Sequence, residues 1–209
     1  MVTITFAKVS QSFHGRTIFK DIDVSLRGGM VTAVTGHNGS GKSTMLKLAA
    51  HLLQPTSGKV SVKDAGQEMR RAELRSRLAL VTPELKFYPR LTARENLAFL
   101  LGLRGITLDD TAFSALMVRV GLRETEIATA FTGEFSTGMR QRLKLAALLA
   151  SEADIWLLDE PGANLDAAGR ELIIREARQA ADEGRLVLWA TNDEREEAAA
   201  DAAIHLAGH

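Results

Sequence analysis

The sequence of 209 residues contains no cysteine, so neither a disulfide nor a thiolate metal site can form. It also lacks any apolar run approaching the roughly 20 residues that a membrane-spanning helix needs. Neither charge sign is in excess, because 26 Lys and Arg balance 26 Asp and Glu, which argues against a general affinity for nucleic acid. The first residues lack the basic-then-apolar layout of a signal peptide. These absences predict a soluble, cytoplasmic protein that binds no nucleic acid.

The pattern of apolar residues predicts a single domain of the α/β class over residues 1–209. Residues 2–10 and 30–35 have the composition of strands, and apolar residues recur at helical spacing over residues 43–53. Between about residues 92 and 151 the pattern is almost wholly helical, and strand patterns then return. This order predicts an α/β core with a helical subdomain at about 92–151.

Residues 36–44, GHNGSGKST, match the pattern G-x-x-x-x-G-K-[ST] between a predicted strand and a predicted helix. The glycines allow main-chain amides to line a concave site for phosphate oxygens at the positive end of the helix. Lys42 adds a charge for the terminal phosphates, and the Ser43 hydroxyl can ligate Mg²⁺. A purely structural turn is the alternative, but it leaves Gly-Lys-Ser at the helix start unexplained. The predicted nucleotide-binding residues of this segment are Gly36, His37, Asn38, Gly39, Ser40, Gly41, Lys42, Ser43 and Thr44.

A second segment, IWLLDEP at residues 155–161, has the pattern of an apolar strand that ends in two carboxylates. Asp159 at the strand tip can hold the Mg²⁺ shell, usually through water. Glu160 then lies beside the terminal phosphate, where it can orient or deprotonate a water molecule. Taken alone, this ending is typical of an ordinary exit from a strand into a loop. Together with the phosphate-binding segment, it favours a catalytic role.

Residues 134–149, EFSTGMRQRLKLAALL, resemble the signature of ABC-type ATPases, which is usually L-S-G-G-Q before a helix. GANLD at residues 162–166 resembles the loop that follows the two carboxylates in that family. The four motifs occur in the family's order, and the resemblance covers essentially the whole chain. It implies a P-loop NTPase core with an N-terminal antiparallel β region and a helical signature subdomain.

The resemblance further implies ATP, Mg²⁺ and a head-to-tail dimer that buries two ATP molecules between its subunits. Each ATP would contact the phosphate-binding segment of one chain and Ser136, Thr137 and Gly138 of the other, with Asp166 nearby. Ser136 or Thr137 can also cap a helix, and the two roles are compatible. Phe13 matches an aromatic residue that stacks on adenine, with a place in the core as the alternative. The resemblance also implies a separate integral membrane permease, with this chain on its cytoplasmic face.

Three segments depart from the usual family pattern. In the signature, Thr137 replaces a glycine and Met139 replaces a glutamine, which is a mild variation. Pro83 and Glu84 stand where a glutamine normally contacts Mg²⁺ and the permease, and Glu84 retains an oxygen ligand for the metal. Asn192 stands where a histidine usually touches the γ-phosphate. Asparagine can donate N–H bonds but cannot become cationic, so we expect weaker stabilisation of the transition state. Alternatively, Asn192 only caps the acidic helix that starts at Asp193. The predicted catalytic residues are Glu160, Lys42 and Asn192.

The favoured hypothesis is an ATPase subunit, of exporter type, that energises a separate permease. Glu84 and Asn192 also resemble the ATP-binding subunits of the haem exporters used in cytochrome c maturation. One alternative is a soluble ABC ATPase without a transport role, such as a cluster-assembly type. Another is a module that dimerises on ATP and scarcely hydrolyses it.

Overall fold

The computed structural model describes residues 1–207, which form two β-sheets and eight α-helices. The strands are β1 (Val2–Phe13), β2 (Arg16–Arg27), β3 (Met30–Thr35), β4 (Ser57–Asp64), β5 (Gln67–Glu68), β6 (Leu78–Val81), β7 (Ile155–Asp159), β8 (Leu186–Ala190) and β9 (Ala202–His205). The helices are α1 (Lys42–Ala49), α2 (Arg71–Arg77), α3 (Ala93–Gly102), α4 (Asp110–Arg119), α5 (Glu124–Ile127), α6 (Thr137–Ala150), α7 (Ala167–Asp182) and α8 (Glu194–Ala198), with a 3-10 helix at Thr132–Glu134. None of the helices formed by the described residues has the length and hydrophobicity to cross a bilayer.

The first sheet is antiparallel, with the strand order β2-β1-β4-β5. Along β1, Ile4 and Phe6 are buried and alternate with more exposed residues, as expected of a strand with one face in the core. Ile4 pairs with Leu26 of β2 and with Val62 of β4, which are also buried. These side chains share one hydrophobic core with Met45 of α1.

The second sheet is parallel, with the strand order β6-β7-β8-β3-β9. Every residue of β7 and of β8 is buried, which is the pattern of strands covered on both faces. Ala190 at the end of β8 pairs with Val34 of β3 on one side and with Asp159 of β7 on the other. The carboxyl ends of these three strands therefore meet at one edge, where ligands bind in open α/β sheets. The predicted α/β class is confirmed.

The chain forms two compact units. The first comprises residues 1–82, 153–161 and the described residues from 174 onward, and it contains both sheets. The second comprises residues 83–152 and 162–173, and it contains α3 to α6.

Helix α3 of the second unit begins at a well-formed cap. At the start of α3, Thr92 Oγ1 accepts from the Glu95 N–H at 3.3 Å, and Glu95 Oε2 accepts from the Thr92 N–H at 2.8 Å. This reciprocal pair is a capping box. The buried Asn96 then fixes the preceding loop, since its Oδ1 accepts from the Tyr88 N–H at 2.8 Å. Local hydrogen bonds therefore define where this helix begins.

Candidate functional site

At three positions of the loop between β3 and α1, the backbone has a conformation that glycine adopts more easily than other residues. Gly36, Gly39 and Gly41 have φ angles of 141°, 84° and 101°. A Cβ on Gly41 would overlap Ile18 and stand 3.0 Å from Phe19 Cδ1, both of β2. Position 41 therefore favours glycine for two reasons, the positive φ angle and the lack of space for a Cβ.

Lys42 reaches back into this loop from the first turn of α1. The residue is 6% exposed, and its Nζ donates to the main-chain oxygens of Gly36 at 2.8 Å and His37 at 3.2 Å. These acceptors are neutral, whereas a phosphate oxygen would offer the buried ammonium an opposite charge and a stronger hydrogen bond. The loop thus holds a cation where an anionic group would bind.

Ser40 carries an orphaned polar atom in the same loop. The residue is 1% exposed, and its Oγ has no hydrogen-bond partner among residues 1–207. A Cβ at Gly36 would stand 2.7 Å from this oxygen, so a side chain at that position would fill the space. Buried hydroxyls nearly always have partners, and a phosphate oxygen would supply one. Ser43 and Thr44 are half-buried in the first turn of α1. The segment therefore fits a phosphate group.

The two carboxylates at the end of β7 lie on the same sheet edge. Asp159 is 6% exposed. Glu160 is half-buried and has a φ angle of 49°, which is uncommon for a residue with a side chain. Its N–H donates to the Ala190 carbonyl at 2.8 Å, so the exit of β7 is tied to the end of β8. Backbone strain of this kind clusters at active sites.

The oxygen atoms at this sheet edge are of the kind that binds Mg²⁺ together with a nucleotide. Within residues 1–207, no group of three His, Asp or Glu side chains could hold a metal ion. Mg²⁺ is commonly held by one or two carboxylates together with substrate phosphates and water. Ser43 and Asp159, both in the first unit, carry the kind of oxygen atom that Mg²⁺ prefers, and their role as metal ligands stays a prediction.

Glu84 lies in the second unit and is exposed. Lys144 of α6 donates from Nζ to the Pro83 carbonyl at 3.1 Å. Burial lowers the pKa of Lys144, and the charge of Glu84 opposes that shift. The role of Glu84 as a metal ligand stays a prediction.

The signature residues occupy the start of α6. Ser136 is the N-cap, and its Oγ accepts from the Met139 N–H at 3.1 Å. Thr137 and Gly138 lie in the first helical turn, and neither has a positive φ angle. The threonine that replaces the usual glycine is therefore unstrained. The helix start exposes amides that suit an anion, as the resemblance implies.

Asp166 and Phe13 are the remaining predicted contacts. Asp166 Oδ1 accepts from the Gly169 N–H at 2.8 Å and from Arg142 Nη2 at 3.1 Å, both within the second unit. Phe13 is 39% exposed at the end of β1, while Phe19 is 2% exposed in the core. An exposed ring is free to stack on a planar ligand.

Asn192 follows β8 and contacts the phosphate-binding loop directly. Its Nδ2 donates to Asn38 Oδ1 at 2.7 Å. The alternative that Asn192 caps the acidic helix is wrong. Helix α8 begins at Glu194, so the cap position falls to Asp193, whose Oδ1 accepts from the Arg195 N–H at 2.8 Å.

The pairing of Asn38 with Asn192 is a site feature that sequence patterns missed. Asn38 counted only as part of the loop motif, because the motif accepts any residue there. The two residues are 154 positions apart, and only the adjacency of β3 and β8 brings them together.

A family model described as ABC transporter matches residues 19–163, which include the loop, the start of α6 and both carboxylates. The chain belongs to the ABC transporter family. It is 32% identical over 197 residues to the sulfate/thiosulfate import ATP-binding protein CysA of Synechococcus elongatus, covering 93% of this chain and 57% of that protein. It is 31% identical over 198 residues to the ergothioneine transport ATP-binding protein EgtV of Helicobacter pylori, covering 92% of this chain and 91% of that one. The chain thus spans little more than half the length of the first relative.

The fold of this ABC protein recurs in solved structures. A dimeric ATP-binding cassette in a post-hydrolysis state, bound to ADP and Pi, superposes with a TM-score of 0.81 at 24% identity. The match covers 99% of this chain and 94% of that one. The predicted fold, a P-loop NTPase core with an N-terminal antiparallel β region and a helical signature subdomain, is confirmed.

Proposed function

We propose that this chain is the ATP-binding and ATP-hydrolysing subunit of an ABC transporter that energises a separate membrane permease. The observation that carries the proposal is the buried Lys42 ammonium, held by two neutral carbonyls in a glycine loop. A buried cation with neutral partners favours an incoming polyphosphate. The carboxylates of Asp159 and Glu160 on the same sheet edge extend the proposal from binding to hydrolysis.

In the proposed reaction, Lys42 exchanges its carbonyl partners for oxygens of the β- and γ-phosphates. Ser43 and Asp159 would hold Mg²⁺, which would neutralise phosphate charge when bound. Glu160 orients a water molecule and accepts its proton as the water oxygen attacks the γ-phosphorus. The bond between the γ-phosphorus and the bridging oxygen breaks, and ADP and inorganic phosphate leave. Asn192 donates an N–H to the γ-phosphate as negative charge shifts during the reaction.

The resemblance extends the proposal to a dimer that works with an integral membrane permease at the cytoplasmic face. Ser136, Thr137 and Gly138 at the start of α6 would meet the γ-phosphate bound to a second copy, with Asp166 nearby. The dimeric cassette with ADP and Pi supports this arrangement by likeness of fold. The finer prediction, an exporter similar to the haem exporters of cytochrome c maturation, rests on Glu84, on Asn192 and on the resemblance of the stretches at residues 148–161 and 190–193.

The first test removes the proposed base. We expect Glu160→Gln to lower Mg-dependent ATP turnover by about 10²–10⁴-fold, because the amide cannot accept the proton of water. ATP-induced dimerisation, followed by analytical ultracentrifugation, should persist. Glu171→Gln, at an exposed position of α7, is the matched control and should keep the wild-type rate.

Turnover that is equally absent from wild type and Glu160→Gln, with the permease present, would exclude the ATPase. A dimer that forms with ATP but shows no turnover would instead support the alternative of a module that dimerises on ATP and scarcely hydrolyses it. Co-purification with a membrane protein supports the transporter, and recovery only in soluble complexes would favour the non-transport alternative.

A further inference from the structure

The end of β8 is held beside the phosphate-binding loop by main-chain pairing. β3 and β8 are parallel neighbours, with Val34 opposite Ala190. The N–H of Thr191 continues this ladder by donating to the Val34 carbonyl at 3.0 Å. Residues that directly follow the two strands are therefore kept close to one another, although they are far apart in the chain.

At this junction the side chains of Asn38 and Asn192 form one amide pair. Asn192 Nδ2 and Asn38 Oδ1 are 2.7 Å apart, and both residues are exposed at the edge of the loop. Asn38 is also anchored through its main chain, because His37 Nδ1 donates to its carbonyl oxygen at 2.8 Å. The Asn192 amide is thus held by a residue that is itself fixed in the loop.

The pair leaves several hydrogen-bond donors for an anion. Two carboxamides carry four N–H groups, and one is used within the pair, so three remain. Exchange of O and N in both amides reverses donor and acceptor but leaves that count unchanged. The pair is neutral, so it recognises phosphate oxygens through oriented N–H groups and adds no charge.

From this geometry we infer that Asn38 is a positioning residue for Asn192, and that the two amides act together as one recognition element for the γ-phosphate. The inference rests on the proposed function and deepens it. An exposed asparagine alone would lose rotamer freedom when it binds a phosphate, and a partner that already holds it lowers that cost. By holding Asn192 in place, Asn38 therefore compensates for the shorter reach of the asparagine side chain towards the γ-phosphate.

A double-mutant cycle tests the pair. Affinities of wild type, Asn38→Ala, Asn192→Ala and the double variant are measured by isothermal titration calorimetry. The ligands are the Mg²⁺ complexes of ADP and of the non-hydrolysable analogue adenylyl imidodiphosphate. Each single variant should bind the triphosphate analogue about fivefold to tenfold more weakly, the worth of one or two hydrogen bonds. The double variant should be no weaker than the weaker single variant, because breaking the pair once removes its effect.

The same variants should lose clearly less affinity for MgADP than for the triphosphate analogue, since ADP has no γ-phosphate for the pair to contact. Asn192→His restores an N–H donor to Asn38 and should bring triphosphate affinity back to within about twofold of wild type. Gln179→Ala, which truncates an exposed amide on α7, is the matched control and should change neither affinity.

Additive losses in the double variant, or equal losses for MgADP and the triphosphate analogue, would overturn the inference while leaving the proposed function intact. A His variant as weak as the alanine variant would also overturn it. Wild-type protein that binds neither nucleotide would instead overturn the proposed function, and the inference with it.

Discussion

Gly41 packs its α-carbon against β2 with no room for a side chain. The residue combines a φ angle of 101° with contacts to Ile18 and Phe19 that a Cβ would violate. Gly105 has a similar angle, 74°, but a Cβ there would meet nothing within 4 Å. A side chain at Gly105 would therefore cause backbone strain alone, whereas a side chain at Gly41 would cause backbone strain and steric overlap.

Alanine substitution at each glycine should show this difference. Gly105→Ala is expected to lower the free energy of unfolding by about 1–2 kcal/mol, the cost of a left-handed backbone with a side chain. Gly41→Ala should cost about 1–3 kcal/mol more, because the core at Ile18 must shift, and it should also weaken MgATP binding. Urea unfolding and calorimetric titration measure the two effects. Equal destabilisation by the two changes would show that the packing at Gly41 is not limiting.

At the scale of single elements, helix starts serve both stability and the candidate site. Ser136 caps α6 by accepting from the Met139 N–H at 3.1 Å, and Asp109 caps α4 by accepting from the Ala112 N–H at 2.7 Å. The caps are alike in geometry, but only Ser136 belongs to the signature. Comparison of the two caps therefore separates a structural from a functional contribution.

We expect Ser136→Ala and Asp109→Ala each to lower the free energy of unfolding by about 1 kcal/mol, the usual worth of an N-cap. Only Ser136→Ala should also reduce ATP-induced dimerisation, because its hydroxyl would meet the phosphate on a second copy. Urea unfolding and analytical ultracentrifugation give the two readings. If both variants dimerise as wild type does, Ser136 is only a cap and the proposed signature contact is wrong.

At the scale of the whole molecule, charged groups make its stability depend on pH. Hydrogen bonds from Arg77 and from the N-terminal amine lower the pKa of Asp64 below its ordinary 3.8. Burial, with Arg71 adding to it, lowers the pKa of His51 below its ordinary 6.5. Both groups bind protons more weakly in the folded state than in the unfolded chain. Their stabilisation is therefore complete above the ordinary pKa and is lost as the pH falls through the folded-state value.

The urea midpoint should accordingly stay level from pH 8 to about pH 6.5, then decline as unfolded His51 takes up a proton, and fall further below about pH 4 as Asp64 protonates. His51→Asn should remove the first decline, since asparagine does not titrate and tolerates the φ angle of 54° at this position. Asp64→Asn should reduce the second decline and leave the first. A first decline that survives in His51→Asn would assign it to another group.

The sequence alone determined the phosphate-binding loop and the two carboxylates, because their chemistry is local. Gly36 to Ser43 are consecutive, and the backbone angles, the ammonium and the hydroxyl follow from residue type. The apolar run before Asp159 likewise predicted a strand that ends in two acid groups, and every residue of that strand is buried. The order of motifs also sufficed to predict the ABC fold.

Only the tertiary structure decided that Asn192 pairs with Asn38 and that Asp193 caps α8. From the sequence Asn192 could be a phosphate contact or a helix cap, and the two differ by a single position at the start of α8. Its contact with Asn38 depends on β3 and β8 lying side by side, and pairing between strands so distant in the chain depends on the folding of the whole sheet. Local sequence patterns cannot predict which strands become neighbours, because the order of strands in a sheet depends on how all the buried faces of the protein pack together.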